Sequence, residues 1–182
     1  MKPRKLLGYS DAPYSISLMK LIETQSKPTI VKWCVDYSEL FYLPVWQKHA
    51  PDDQRPVLAL EAARKWLAKE VKCQDVRNAA WDSHLAAKDA ISSPAAEAAA
   101  RAIANAALTV HVATHSIRMA YYGAAAVAYD KAGCLASQEA LDALAEDEFK
   151  RLSEALLAVS VENEPNPAEH KWSDMNNIKR MP

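Results

Sequence analysis

The sequence predicts an all-α fold: a single-domain helical bundle of about six helices over residues 1–159, with an extended C-terminal tail over 160–182. Three observations carry this expectation. Only three glycines occur, Gly8, Gly123 and Gly133, too few for the tight hairpins of a β-protein. Alanine crowds the middle of the chain, and alanine has the best intrinsic helix propensity. Apolar residues recur at three- and four-residue spacing between proline, serine and aspartate start signals.

The elements follow in order. Asp11 is placed to cap a first helix over 12–25. Pro28 suits the first turn of a second helix, because its missing N–H would be unpaired there anyway. That helix puts Ile30, Trp33, Tyr37, Leu40 and Phe41 on one face, and Pro44 should kink or end it. Asp52 or Asp53 caps a third helix, started by Pro56 and running to 69, with Leu60, Ala63 and Leu67 on one stripe beside Trp66. A fourth covers 74–89. Ser93 and Pro94 then restart the chain as cap and first residue.

The alanine-rich stretch that follows, read to Ala132, is 39 residues long. At 1.5 Å per residue it would span roughly 58 Å, so it should break, bend or protrude. Gly123 is the candidate bend and Gly133 the C-terminal stop. A last helix over 136–159 has Leu141, Leu144, Phe149, Leu152 and Leu156 inside. Glu139, Asp142, Glu146, Asp147 and Glu148 form its acidic outer face. The tail would be held on its own domain or on a neighbouring chain, with Trp172 as anchor. Alanine buries little area, so its helices must approach closely. Bulk should come from Trp33, Trp46, Trp66, Trp81, Tyr121, Tyr122 and Tyr129.

Composition excludes several classes. The net charge of -1 argues against a nucleic-acid binder acting through bulk charge. No apolar run reaches the roughly 20 residues of a membrane span, and the N-terminus lacks a signal-peptide core, so a cytoplasmic protein is expected. Cys34, Cys73 and Cys134 are odd in number and widely spaced, which suits buried or helix-end residues rather than a disulfide framework or zinc finger. No P-loop or dinucleotide fingerprint can be built from these glycines.

His111 and His115, in "HVATH", would share one helix face. The zinc-protease pattern needs glutamate at the second position, which here is Val112. A bare metal site would need His84 as a third ligand and Asp36 or Glu61 as a fourth. Nothing in the sequence brings these together, so no metal and no cofactor is expected. The favoured reading is a structural cluster of imidazoles hydrogen-bonded among alanine backbones. No catalytic pair emerges; Cys34 with Asp36 has no motif behind it. Arg55, Arg64, Arg77 and Arg101 suit ion pairs with Asp52, Glu61, Glu70, Asp75 or Glu97.

Several segments between Trp33 and Tyr122 carry a resemblance. They are "DDQRP" with Arg55 and Pro56; "LALEAARKWLAKE" with Arg64, Trp66 and Glu70; "VRNAAWDSHLAAKD" with Arg77 and His84; and "ARAIANAALTVHVATHSIRMAYY" with Arg101, His111 and His115. Together they resemble a bacterial family of helical immunity proteins of toxin–immunity systems. Two positions depart from that pattern. Lys69 stands where the family usually has glycine, and Ala104–Asn105 where it often has glycine–histidine or glycine–glutamine.

The resemblance implies an α-helical, non-catalytic protein that binds a cognate toxin through exposed faces. The cluster it brings forward is His84, Asn105, His111 and His115, with Arg64 and Trp66. The partner face would be Glu139, Asp142, Glu146 and Asp147. Neither nucleic acid nor membrane is an expected partner; a homo-oligomer through the tail is the further one. The alternative is a metal- or small-ligand-binding protein, or an enzyme, built on the histidines.

Overall fold

A computed structural model describes residues 3–170 and Trp172. These residues are all-α, without a strand. The elements are α1 (Pro13–Glu23), α2 (Lys27–Tyr37), a π-helical turn (Ser38–Tyr42), α3 (Leu43–His49), α4 (Arg55–Leu67), α5 (Cys73–Asp89), α6 (Pro94–Leu108), α7 (His115–Ala132) and α8 (Gln138–Val159). Since α2, the π turn and α3 run on as one rod, the described residues form seven helical rods rather than about six. The extra rod comes from a break in the alanine-rich stretch.

Prolines start α2, α4 and α6 as expected, and Pro13 starts α1 as well. Pro13, Pro28, Pro56 and Pro94 all sit in first turns. Ser26 and Ser93 cap α2 and α6, accepting from the N–H groups of Thr29 and Ala96. Asp53 accepts from the Arg55 N–H at 3.0 Å. Asp11 does not hold the N-cap position of α1, which falls to Ala12.

Pro44 does not end the second rod; a π-helical turn stands just before it. Proline offers no N–H and its ring presses on the preceding turn. The π turn accommodates this, with the Leu43 N–H reaching back to the Ser38 carbonyl. One extra residue in the turn also shifts the buried face. Tyr42 enters the core, while Leu40, expected inside, is 66% exposed.

The alanine-rich stretch breaks between Leu108 and His115, not at Gly123. Thr109, Val110, Val112 and Thr114 are β-branched and stiff in a helix. The Thr109 hydroxyl donates to the Ala106 carbonyl at 2.5 Å, and that of Ser116 to Ala113 at 2.7 Å. These bonds compete with the helical ladder. Gly123 instead lies inside α7, where a side chain would strike Tyr42: an added Cβ would sit 2.1 Å from the ring. Gly133 stops α7 at φ 77°, as expected.

The core is built on α6, which packs against α2, the π turn, α3, α4, α5 and α7. Eleven of its fifteen residues are buried, most of them alanine. Such small side chains let backbones approach, and the bulk comes from Trp33, Tyr42, Trp46, Tyr121 and Phe149 around them. Trp81, expected among the bulk, is 59% exposed, with the Lys88 ammonium 5.5 Å from its ring centre. α7 packs in turn on α8, and α8 on α1 and α2. Cys34 is buried, while Cys73 begins α5 and Cys134 follows α7.

After α8 the chain returns to the α1–α2 corner. The Val161 N–H donates to the Gln25 side-chain oxygen at 2.8 Å, and the Ala168 N–H to the Gln25 carbonyl at 2.9 Å. The Trp172 indole donates to Glu23. Residues 173–182 of the expected tail lie outside the described residues.

Lys69 holds φ at 62°, the left-handed region that L side chains avoid. It is the position where the resemblance leads one to expect glycine. Lys69→Gly should therefore stabilise the protein by about 0.5–1 kcal/mol, read as a higher denaturant midpoint at unchanged slope. The gain is modest because glycine also frees the unfolded chain. A lower midpoint would refute the strain.

Candidate functional site

The break after α6 decides where the histidines go. It places His115 at the first position of α7 and His111 in the exposed turn before it. The two therefore do not share a helix face. The His111 carbonyl accepts from the Lys27 ammonium at 3.2 Å.

His115 joins Asn105 of α6, whose side chain is almost fully buried. The Asn105 amide donates through Nδ2 to the Arg101 carbonyl at 2.8 Å. Its Oδ1 lies 2.9 Å from His115 Nδ1. A carbonyl oxygen only accepts, so Nδ1 carries the proton and Nε2 of the neutral ring holds the lone pair. His84, from α5, comes toward the same corner with its Nδ1 buried and without a partner among the described residues. Arg101 binds Glu97 at 2.8 Å and its guanidinium lies 6.0 Å from the centre of the Tyr122 ring.

Burial, reinforced by Arg101 and Lys88, pushes the His84 imidazole down to about 4. Burial, with Arg118, His84 and His111, does the same to His115, also to about 4. Both rings are thus neutral in the fold at pH 7. The unfolded chain binds these two protons near pH 6.5, before the native state does. Their contribution is fully present above pH 6.5 and is lost as pH falls toward 4. After discounting for partial exposure, the loss is on the order of 2 kcal/mol per ring. Urea midpoints at pH 7 and pH 5 measure it. The double variant His84→Leu/His115→Leu should flatten the difference; a slope that survives would place the titration elsewhere.

Other expected residues are dispersed. Arg64 binds Asp36 at 2.8 Å and also pairs with Glu39, which holds α4 to the second rod. Trp66 is half-buried against the core. Arg55 pairs with Asp53 and Asp89, at 2.6 and 2.7 Å. Arg77 reaches Gln74, so of the expected arginine pairs only Arg101–Glu97 forms among the described residues. Among those residues no three His, Cys, Asp or Glu side chains group as metal ligands would.

On α8, Glu139, Glu146 and Asp147 are exposed. Asp142 is half-buried and accepts from the Tyr9 hydroxyl at 2.9 Å and Gln138 at 2.8 Å. None of these four carboxylates makes an ion pair among the described residues.

Glu148 does not belong to that outer face. It is fully buried and accepts from the hydroxyls of Tyr37 and Tyr42, each at 3.0 Å, beside Arg151. Burial pushes its carboxyl up, against the pull of Arg151 and the two hydroxyls. The sequence carried a signal for it: Leu141, Ala145, Glu148 and Leu152 follow one another at four-, three- and four-residue steps, an inward stripe.

No helix among the described residues is long and apolar enough to cross a membrane. Comparison with curated proteins and with solved structures yields no match. A family model described as Imm-5 like putative immunity protein matches residues 20–155. The match runs from α1 into α8 and takes in His84, Asn105, His111 and His115, so the chain belongs to that family.

Proposed function

We propose that this protein is an immunity-type binder that neutralises a partner toxin by protein–protein contact, without catalysis. Family membership carries the reading. The unneutralised carboxylates Glu139, Asp142, Glu146 and Asp147 support a docking face on α8, since charges left unpaired at a surface can meet a basic partner. Inhibition by occlusion needs a complementary surface rather than reacting side chains.

The test is co-expression with a candidate toxin, sought among the genes beside this one. Wild type should restore growth. Glu139→Lys/Glu146→Lys/Asp147→Lys should slow association at least tenfold at low salt and weaken the rescue. Undiminished toxicity beside soluble wild-type protein would refute the neutralising role. Full rescue by the charge-reversed variant would refute the α8 face alone.

A further inference from the structure

A second surface has the opposite charge. Along α6 the residues that escape burial are Pro94, Glu97, Arg101 and Leu108, with nearly buried Asn105 between them. Their spacing puts them on one face of the helix. α5 and α7 both pack on α6 but barely on each other, so this strip forms the floor between them. His84 borders it from α5 and feels both Arg101 and, one turn further on its own helix, Lys88, whose ammonium lies 5.5 Å from the Trp81 ring centre. From α7 come His115, Arg118 and Tyr122, at the three- and four-residue spacing of one stripe.

The strip runs at one end into a cavity of about 90 Å³ lined by Arg4, Lys5, Ile91, Glu97, Arg101 and Tyr129. Arg4, Lys5 and Arg101 thus line the cavity, with the Arg4 guanidinium 5.3 Å from the Tyr9 ring centre, while Arg118 and Lys88 lie near the two histidines. Glu97 answers one of them, Arg101. Lys5, Lys88 and Arg118 make no ion pair among the described residues. The buried His84 Nδ1 is unpartnered there too.

We infer that the α6 groove is a carboxylate-binding site that takes an acidic segment of a partner protein, with Arg118 and Lys88 as rim cations and Arg101 at the floor. Arginine forks suit carboxylates, and Tyr122 already holds the Arg101 guanidinium by its face. His115 adds a switchable contact. Its Nε2 lone pair repels a carboxylate, so a bound carboxylate favours uptake of a proton there, which turns the ring into a donor. The inference stands apart from the α8 face and from the toxin assignment.

The experiment is titration of the intact protein with hexaglutamate peptide at low salt. The readouts are amide and imidazole resonances, beside parallel titrations with inorganic phosphate and a single-stranded oligonucleotide. Hexaglutamate should shift the signals of Arg101, Arg118, His84 and His115, and raise the pH at which His115 titrates. Lys88→Glu/Arg118→Glu should weaken binding at least tenfold without lowering the melting temperature; Glu139→Lys/Glu146→Lys should not. Absent binding, or equal binding by Lys88→Glu/Arg118→Glu, overturns the site. Phosphate or oligonucleotide binding without hexaglutamate binding overturns the ligand class. Self-association that either charge reversal abolishes would make the occupant a second copy's α8 face and overturn the foreign partner.

Discussion

Gly123→Ala should destabilise the protein by about 3 kcal/mol or more, lowering its melting temperature by roughly 10 °C. In an ordinary helix interior the change would be favourable by up to about 1 kcal/mol. Here the new Cβ would meet Tyr42 Cζ and Oη at 2.1 Å. Tyr42 has nowhere to go: it is fully buried and its hydroxyl is held by Glu148. The π turn that aims it inward is fixed in turn by Pro44. The clash is specific to one pair, so a double-mutant cycle isolates it. In a Tyr42→Ala background, itself costly, Gly123→Ala should cost almost nothing or stabilise. Equal costs in both backgrounds would show that Gly123 serves the backbone and not the contact.

Glu148→Leu should cost about 3 kcal/mol, because it leaves the Tyr37 and Tyr42 hydroxyls buried without an acceptor. Arg151 loses less, being partly exposed and able to return to water. Glu148→Gln keeps an oxygen for both hydroxyls and should cost only about 1 kcal/mol. The pH sign agrees. Burial raises the Glu148 carboxyl above its unfolded value. Its favourable contribution is present below that unfolded value, near 4.5, and is lost as pH rises through the raised one. Burial thus works against the charge that Arg151 and the two hydroxyls favour, and glutamine carries no such charge. Tyr37→Phe/Tyr42→Phe/Glu148→Leu should recover most of the loss, since removing both sides of a buried hydrogen bond is nearly neutral. Chemical denaturation of the four proteins at pH 7 gives the comparison. A Glu148→Gln variant as unstable as Glu148→Leu would contradict the network.

Much of the fold was legible because its signals are local. A proline in the first turn needs only its own ring and its missing N–H, so the starts at Pro28, Pro56 and Pro94 stand where the sequence puts them. The π turn was not legible. Its register depends on Tyr42 finding both the bare backbone of Gly123 and the Glu148 carboxylate, two contacts across the chain. Gly123 drew the expected bend because a lone glycine in a helix suggests flexibility. The true break used β-branched residues and hydroxyls, each a weak signal alone.

The histidine corner was half legible. Asn105 stood out as the polar residue at a departing family position, and it does bind His115. His111 was misplaced because four-residue spacing brings two rings together only while the helix continues. Glu148 was hidden by company: Glu146 and Asp147 before it are exposed, and the acidic run reads as one solvated face until its phase against Leu141 and Leu152 is counted. The groove proposed along α6 draws its residues from three helices, so only the packing of those helices suggests it.

The proposed role rests on binding in place of chemistry, and stoichiometry separates the two. Purified toxin, assayed for its own activity, is titrated with this protein. The account predicts a linear loss of activity that ends at a fixed molar ratio and is restored when the complex is dissociated by salt. Progressive inactivation of toxin by a small fraction of this protein, or full toxin activity under a large excess of it, would contradict the account.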